Sequence, residues 1–218
     1  MQLVSVNIGR EQPIQNAKPS NKTGIYKSPV TTPVQVTRMG LHGDSICDIK
    51  NHGGVDQAVY VYGTPDYAWW SEALGYEVLP GTFGENLTLS RLESARMQIG
   101  DRFHIGPVTL EVTAPRIPCV TLAARMEDPS FVKRFREAER PGLYCRVIRE
   151  GAVQAGSDVT LEKYPGETIS AIEMFRDFYQ PELSEAALRR HLAAPIAVRD
   201  RVDKEKALEK LLADRKGG

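Results

Sequence analysis

Short apolar stretches separated by turns that contain glycine or proline fill the first three quarters of the sequence. Apolar residues in these stretches often alternate with polar ones, and a period of two is typical of strands with one buried face. The turn signals include Gly43-Asp44, Gly106-Pro107 and Gly156-Ser157. Strands are predicted at residues 3–8, 34–37, 57–62, 86–89, 101–105, 108–113, 143–149 and 159–161. Many short strands with this punctuation favour a barrel or a sandwich.

Two helices are predicted to interrupt the strands. The first spans residues 64–74, with Thr64 as its N-cap and Pro65 at the first helical position. The second has Asp128 as its N-cap and Pro129 next, and it ends before a Pro-Gly pair.

The pattern changes after about residue 165, where apolar residues recur at helical spacing. Three helical segments are predicted there, at residues 168–179, 184–194 and 203–214, and prolines separate them. We therefore predict a mainly β protein with helices, of the α+β class. It has a β-rich domain at residues 1–164 and a three-helix appendage at residues 165–218.

The charge balance and the hydropathy pattern argue against two classes of partner. Lys and Arg together number 28, as do Asp and Glu, so the formal net charge is zero. Dedicated nucleic-acid binders usually carry a basic excess, because their affinity for phosphates is largely electrostatic. No apolar run approaches the roughly 20 residues that a membrane helix needs, and the first ten residues lack the pattern of a signal peptide. We expect neither a nucleic-acid partner nor a membrane partner.

The cysteines argue against two kinds of site. Cys47, Cys119 and Cys145 are far apart, and none belongs to a CxxC pair. A zinc ribbon, or an iron–sulfur cluster held by this chain alone, is therefore not expected. Since the number is odd, a disulfide framework is not expected either, and free thiols in a reducing cytoplasm are predicted.

The segment 115–119, with the sequence PRIPC, is the sharpest local feature. Its two prolines restrict φ and remove two backbone donors, so they hold Cys119 in a defined position after the strand at 108–113. Arg116 would lower the pKa of Cys119 and favour the thiolate, which binds metals and attacks electrophiles. Taken alone, the segment fits better a small buried side chain in a rigid turn.

Three further loops carry polar groups that are candidates for a site. The segment 52–56, HGGVD, has a glycine pair that lets backbone N–H groups approach an anion, and His52 could donate to a phosphate or coordinate a metal. In the segment 81–87, GTFGENL, Asn86 suits the edge of a heterocycle and Glu85 suits acid–base chemistry. The segment 40–44, GLHGD, offers His42 and Asp44. Each loop is also explained as a turn whose side chains satisfy its own backbone.

Five segments taken in chain order resemble the signature series of MOSC domains, and more narrowly of the stand-alone YiiM-like branch. The segments are 40–44 GLHGD, 52–59 HGGVDQAV, 83–87 FGENL, 99–101 IGD and 115–119 PRIPC. The resemblance covers most of the chain, because the C-terminal helices also look like the three-helix appendage of that branch.

The resemblance implies a closed, mostly antiparallel MOSC-type β-barrel and a molybdenum cofactor, in which a molybdopterin supplies two dithiolene sulfurs. Cys119 would be the protein's ligand to molybdenum. The implied activity is reduction of N-hydroxylated compounds, such as hydroxylaminopurine-type base analogues and amidoxime-like substrates. The sequence has no flavin fingerprint, ferredoxin cysteine pattern or GxGxxG segment of its own. Electrons are therefore expected from a separate flavin or iron–sulfur reductase.

The resemblance also suggests roles for individual residues. Near the metal, His52 and Asp56 are expected as proton donors or supporting groups for Cys119. The residues expected to bind the cofactor, at its anionic phosphate or its pterin ring, are Arg116, Asn86, Gly84, Glu85, Gly53 and Gly54. One position departs from the family, because Gln57 stands where a basic residue is common. Lys50 or Arg38 would then replace that contact.

Two alternatives remain open for the function. The protein could carry the molybdenum cofactor, or its sulfur, to other enzymes without any turnover of its own. It could also be a metal-free enzyme with Cys119 as nucleophile and His52 or His104 as base.

Overall fold

A large mixed sheet dominates the computed structural model, which describes residues 1–17 and 20–216. The strands are β1 Leu3–Ile8, β2 Gln12–Pro13, β3 Lys22–Thr23, β4 Ser28–Val30, β5 Val34–Thr37, β6 Gly40–Leu41, β7 Val59–Gly63, β8 Leu87–Leu89, β9 Arg102–Ile105, β10 Val108–Pro115, β11 Leu143–Arg149, β12 Gly151–Val153 and β13 Val159–Glu162. The helices are α1 Ile49–His52, α2 Thr64–Leu74, α3 Val120–Arg125, α4 Phe131–Ala138, α5 Ala171–Tyr179, α6 Glu185–Ala193 and α7 Val198–Lys216. Short 3₁₀ turns occupy Val55–Gln57 and Ser94–Arg96. The α+β class predicted from the sequence is confirmed.

The eight strands of the large sheet run in the order β13-β9-β10-β11-β7-β8-β1-β4. All neighbours are antiparallel except β7 and β8, which are parallel. The strand pairing leaves β13 and β4 at the edges, so it does not by itself form a closed ring. Hydrogen bonds nevertheless join the start of β1 to the residues at the start of β13. Leu3 N donates to Ser157 O at 2.9 Å, and Val159 N donates to Met1 O at 2.9 Å.

The core lies against the central strands because these strands are buried on both faces. Every residue of β10 is buried, as is every residue of β7. Helices α2 and α4 cover one side, where Trp70 stacks on Phe135 with 5.8 Å between ring centres. Phe83, from the loop before β8, packs between Trp70 and Tyr62 at 5.6 and 4.9 Å. This packing fixes the loop that leads to β8, and that loop reaches the site described below.

The C-terminal helices pack on the β-rich body. Ile169, Ala171 and Met174, at the start of α5, belong to the same hydrophobic core as the strands. Ser170 and Ser184 cap α5 and α6 through their hydroxyl groups, as the polar residue before a helix commonly does. The domain boundary at residues 164 and 165 stays a prediction. In the described part of the chain, no helix combines the length and the apolar character needed to cross a membrane.

Several predicted boundaries need correction. The strand expected from residue 57 begins at Val59, because Gln57 belongs to the 3₁₀ turn that follows Gly54 at φ +96°. Helix α4 begins at Phe131 rather than beside Asp128, whose carboxylate instead accepts from Ser130 N at 2.8 Å. The N-cap of α2 is Gly63 and not Thr64, which is the first helical residue.

Helix α3 was not predicted. It has six residues, so it shows fewer than two turns of periodicity. It follows Cys119 directly and therefore defines where that thiol lies.

Candidate functional site

Two cavities meet at Cys119. The first, called here the inner cavity, lies between the loops 20–27, 44–48 and 115–121; its lining includes Lys22, Lys27, Asp44, His52, Asn86, Arg116, Cys119 and Tyr144. The second, called the helical cleft, lies between the β-rich body and helices α5 to α7, with a volume of about 770 Å³. Cys119, His52, Gln57 and Tyr144 line both. The thiol therefore stands at the junction of two chambers.

Cys119 is held where β10 passes into α3. It is the N-cap of α3, and its carbonyl oxygen accepts from Leu122 N at 2.9 Å. Burial of the thiol raises its pKa, but three neighbours outweigh this effect: the His52 ring, the Arg116 charge and the Leu122 N–H lower the pKa to about 5. Cys119 is therefore a thiolate at neutral pH, as the sequence suggested through Arg116.

The His52 ring lies at the end of α1, beside the Cys119 thiol. Its Nδ1 lies 3.2 Å from the hydroxyl oxygen of Tyr144. Its Nε2 is buried and makes no hydrogen bond of conventional geometry among the residues described. The ring is the neighbour that lowers the pKa of Cys119 most, through a hydrogen-bonding interaction and through its charge.

Arg116 is a buried cation without a carboxylate partner. Its side chain donates to the backbone carbonyl of Phe83, and its guanidinium carbon lies 5.0 Å from the centre of the Tyr60 ring. It is 4% exposed, its Nε is unpartnered, and no carboxylate in the described chain forms an ion pair with it. Burial lowers the pKa of Arg116, but Tyr60, Tyr144 and Cys119 raise it above its ordinary value. A buried charge of this kind is costly unless an anion compensates it.

Lys27 and Asp44 form an ion pair in the wall of the inner cavity. Lys27 Nζ lies 2.5 Å from both carboxylate oxygens of Asp44, and burial lowers the pKa of Lys27. Asp44 also accepts from Gly9 N at 2.8 Å and from Asn86 Nδ2 at 2.9 Å. Sequence reasoning missed Lys27, because it belongs to no motif and reaches the site only through the pairing of β1 with β4.

Asn86 and Glu85 are both committed to internal hydrogen bonds. Asn86 lines the inner cavity, but its Oδ1 accepts from Tyr60 N at 3.1 Å and its Nδ2 holds Asp44. Glu85 is fully buried and accepts from Tyr67 Oη and Gly81 N, each at 2.6 Å. Burial raises the pKa of Glu85 despite these donors. The structure therefore places Glu85 behind the cavity wall, where it braces the loop before β8.

The three predicted glycines divide between the cavities. Gly84 lines the inner cavity at φ +76°, and an added Cβ would lie 2.8 Å from Cγ1 of Ile25. Gly53 and Gly54 line the helical cleft. Gln57 lines both cavities, with its Oε1 buried and unpartnered.

Neither proposed replacement for a basic residue at position 57 is seen at the site. Arg38 is exposed and lines neither cavity. The side chain of Lys50 lies outside the described part of the chain. Lys22 and Lys27 are instead the lysines that line the inner cavity.

Asp56 is part of the helical cleft, but its carboxylate is engaged elsewhere. Oδ1 lies 3.0 Å from Arg146 Nε, and Oδ2 accepts from Val198 N at 2.7 Å. One oxygen therefore holds α7 and the other faces β11, and the catalytic role predicted for Asp56 gains no support from this geometry. His104 is paired with Glu162 at 2.7 Å and lines neither of the two cavities.

Comparisons with known proteins point in one direction. The MOSC domain matches residues 48–160, which include His52, Arg116 and Cys119. The uncharacterized protein YflK of Bacillus subtilis is 35% identical over 159 residues, which cover 73% of this chain and 72% of that protein. A Gibberella moniliformis protein named "Reductase" is 32% identical over 160 residues, or 71% of this chain but 28% of that longer protein. The crystal structure of YiiM from Geobacillus stearothermophilus has a TM-score of 0.78 at 28% identity, covering 95% of this chain and 98% of that one.

Proposed function

The chain belongs to the MOSC domain family, and we propose that it is a molybdenum-cofactor-dependent reductase of N-hydroxylated compounds. One observation carries the proposal. A thiolate, Cys119, and a buried cation without a carboxylate partner, Arg116, share one cavity and stabilise each other's charge. Such a pair suits a soft metal held next to an anionic organic group.

The donor set fits a metal whose other ligands come from an organic molecule. Within residues 1–17 and 20–216, no cluster of three or more His, Cys, Asp or Glu side chains could hold a metal ion. A molybdopterin would supply the missing sulfur ligands, and Cys119 would complete them. Its phosphate would meet Lys22, Lys27 or Arg116, which line the inner cavity together with Gly84.

The bound cofactor would supply the two electrons that break the N–O bond of the substrate. The overall reaction is RNH–OH + 2e⁻ + 2H⁺ → RNH₂ + H₂O, so protons must reach the oxygen that leaves as water. His52 is suited to deliver a proton, because its ring lies beside Cys119 and Tyr144 holds its Nδ1. Arg116 would keep Cys119 in the thiolate form that binds the metal.

The helical cleft favours an enzyme over a carrier. A protein that only transfers the cofactor needs one cavity and an exit, whereas this chain has a second chamber that also reaches Cys119. The electrons would come from a separate flavin or iron–sulfur reductase. We also propose a cytoplasmic location, because the three cysteines are free thiols.

A second candidate is a metal-free thiol enzyme. The His52 ring beside the low-pKa Cys119 favours it, since a nucleophilic cysteine needs such a neighbour. The two candidates differ in whether activity requires molybdenum. Activity that persists in metal-free protein and disappears on alkylation of Cys119 would favour the thiol enzyme.

We further propose that the large sheet closes into a barrel. The hydrogen bonds between residues 1–3 and 157–159 support closure, because they join β1 to the far edge strand β13. In that arrangement β4 would extend from the outside of the ring along the second half of β1.

The test of the proposed function is the molybdenum content of protein made in cells that synthesise the cofactor. We expect near-stoichiometric molybdenum, its loss in Cys119→Ala, and its retention in Cys145→Ala, which removes a buried thiol that lines neither cavity. A reductase-coupled assay with benzamidoxime then separates an enzyme from a carrier. Protein that holds no molybdenum despite proven cofactor supply would refute the proposal.

A further inference from the structure

The helical cleft differs in character from the inner cavity. The inner cavity is lined by the cationic side chains Lys22, Lys27 and Arg116. The cleft has four carboxylates, Asp56, Asp177, Asp200 and Asp203, against two cations, Arg199 and Lys204. Apolar side chains also line it: Met174, Phe178, Pro181, Leu183, Ile117 and Pro118. Both chambers reach Cys119, so the thiol is open to two chambers with different charges.

Two polar groups of the cleft lack partners. Asp200, on the first turn of α7, is partly buried, and its carboxylate has no hydrogen bond to another described residue, although the neighbouring Arg199 and Lys204 charges act on it. Burial outweighs these charges and raises its pKa. His191, on α6, is 4% exposed, and its Nδ1 has no hydrogen-bond partner. Burial lowers the pKa of His191, so the ring is neutral at pH 7 and offers one donor and one acceptor. A buried polar atom without a partner is costly, which indicates a bound molecule that satisfies it.

Three of the neighbouring charges of the cleft are paired, and Asp203 is exposed. Asp177 and Lys204 form an ion pair with each other, and Asp56 is held by Arg146 and by Val198 N. Asp200 is thus the carboxylate of the cleft wall that is least exposed without being committed to a partner. Since Asp56 anchors Val198, it positions the first turn of α7 and hence Asp200.

The part of the cleft lining at the end of α5 is apolar and accessible. Phe178 is 59% exposed and Leu183 is 57% exposed, although both are large and hydrophobic. Both lie at the C-terminal end of α5 and in the loop after it, on the lining of the cleft. The volume of about 770 Å³ is several times that of a one-ring aromatic molecule. An aromatic ring against this wall would gain contact area without displacing any buried side chain.

We propose that the helical cleft is the substrate subsite and that it takes a planar, neutral or cationic molecule whose N–H groups donate to Asp200 and His191. The inference rests on the proposed function, because the reacting nitrogen would lie at the Cys119 end of the cleft. It adds to that function a preference among substrates by charge. Amidine-like and amino-substituted aromatic compounds bind, whereas carboxylate- or phosphate-bearing analogues of the same shape are disfavoured by Asp200.

The test uses three planar molecules that have the same shape but different charge. Benzamidine is cationic, benzamide is neutral and benzoate is anionic at pH 7. Their dissociation constants are measured by ligand-observed NMR titration of the cofactor-loaded protein, without any turnover. We expect benzamidine to bind at least tenfold more tightly than benzoate, with benzamide between them, because a charge-assisted hydrogen bond is worth roughly a factor of ten.

Three variants test which side chains of the cleft cause the difference in affinity. Asp200→Asn should weaken benzamidine about tenfold and leave benzamide within about twofold, since only the charge is removed. Asp214→Asn is the matched control, because Asp214 is exposed on the same helix outside the cleft. Phe178→Ala should weaken all three molecules to a similar extent, because it removes apolar contact and no charge.

Each result decides one of the two proposals. Equal affinities for the three molecules, or an Asp200→Asn protein that keeps the benzamidine preference, would overturn the subsite even if the protein is an active molybdenum enzyme. The expected order of affinities in a protein that never binds molybdenum would retain the subsite and refute the proposed function.

Discussion

Asp56 accepts a hydrogen bond from the backbone N–H of Val198 at 2.7 Å, although 142 residues separate the two in the sequence. Its other oxygen lies 3.0 Å from Arg146 Nε, on β11. The carboxylate therefore caps the start of α7 and joins that helix to the central sheet. Helix α7 begins five residues earlier than the sequence suggested, at Val198 rather than at residue 203. The cap that stabilises this first turn lies in a distant loop.

We expect Asp56→Ala to release the first turn of α7. The variant loses a helix cap and leaves Arg146 without one of its carboxylate partners, which together should cost about 2 kcal/mol of unfolding free energy. Hydrogen exchange of the amides of residues 198–202 should accelerate, while molybdenum content stays unchanged. A loss of molybdenum with unchanged exchange would instead assign Asp56 to the metal site.

Cys119 should be alkylated at a pH at which ordinary thiols are protected. Its pKa is lowered to about 5, so the thiolate forms as pH rises through that value. Burial raises the pKa of Cys145 and of Cys47, which keeps both protonated at neutral pH. With cofactor-free protein, iodoacetamide modification followed by mass spectrometry should show one reactive cysteine at pH 6. His52→Ala should move the midpoint upward, and a midpoint that stays near 5 would show that His52 is not what lowers it.

Arg116→Met should remove the cofactor while leaving the empty protein at least as stable. The buried guanidinium has no carboxylate partner, and the Cys119 thiolate that offsets its charge becomes a neutral thiol when that charge is removed, so an apolar side chain of similar length leaves no buried charge unpaired. We expect molybdenum content to fall at least tenfold and the thermal midpoint of cofactor-free protein to hold or rise. Arg140→Met is the contrast, because Arg140 is paired with buried Asp66 at 2.8 Å. That variant should lose about 3 kcal/mol of stability. A comparable loss in Arg116→Met would mean that Arg116 stabilises the fold itself.

Tyr144→Phe should lower turnover without lowering metal content. The substitution removes the hydroxyl group 3.2 Å from His52 Nδ1, so the ring loses the contact that orients it. We expect kcat to fall by about tenfold, as for a misplaced proton donor, with KM little changed and the pH profile displaced. In a His52→Ala background, adding Tyr144→Phe should cause no further change in kcat. A Tyr144→Phe protein with unaltered kcat and pH profile would remove His52 from the proton path.

Gly84→Ala separates two costs of a side chain beside the inner cavity. At φ +76° an alanine is strained by about 1 kcal/mol, and its Cβ would also lie 2.8 Å from Ile25 Cγ1. Gly75→Ala is the matched control, since Gly75 has the same φ of +76° and nothing within 4 Å of an added Cβ. Urea unfolding should show a loss of about 1 kcal/mol for Gly75→Ala and a larger loss for Gly84→Ala. Equal losses would show that Ile25 moves aside freely.

Local pattern was enough to predict much of the fold. Strands β1, β5 and β11 match their predicted bounds, because alternation and flanking turns define them within a few residues. The start of α7 depends on a distant part of the chain, whereas α3 was missed because of its length. Helix α7 needs Asp56 as a cap, and α3 is too short for a periodic signal.

The candidate site shows the same division. The rigid loop around Cys119 and the presence of Arg116 could be read from one short segment. Lys27, Tyr144 and Asp200 come from three other regions of the chain. Strand pairing and helix packing bring them to the cavities that reach the Cys119 thiol. Glu85 was expected at the cofactor, but four donors hold its carboxylate inside the fold. Spacing along the chain cannot distinguish a side chain that faces a cavity from one that braces the wall behind it.

The two sides of the helical cleft also differ in whether they belong to the segment that matches the MOSC domain. The residues around the thiol fall within the matched MOSC segment, residues 48–160. The far wall of the cleft, including Phe178, His191 and Asp200, lies after that segment. If the cleft is the substrate subsite that we propose, substitutions after residue 160 change which molecule binds and leave the residues around Cys119 unaltered. A chimera with the C-terminal helices of a relative would then keep the reaction of this chain and acquire the substrate preference of the relative.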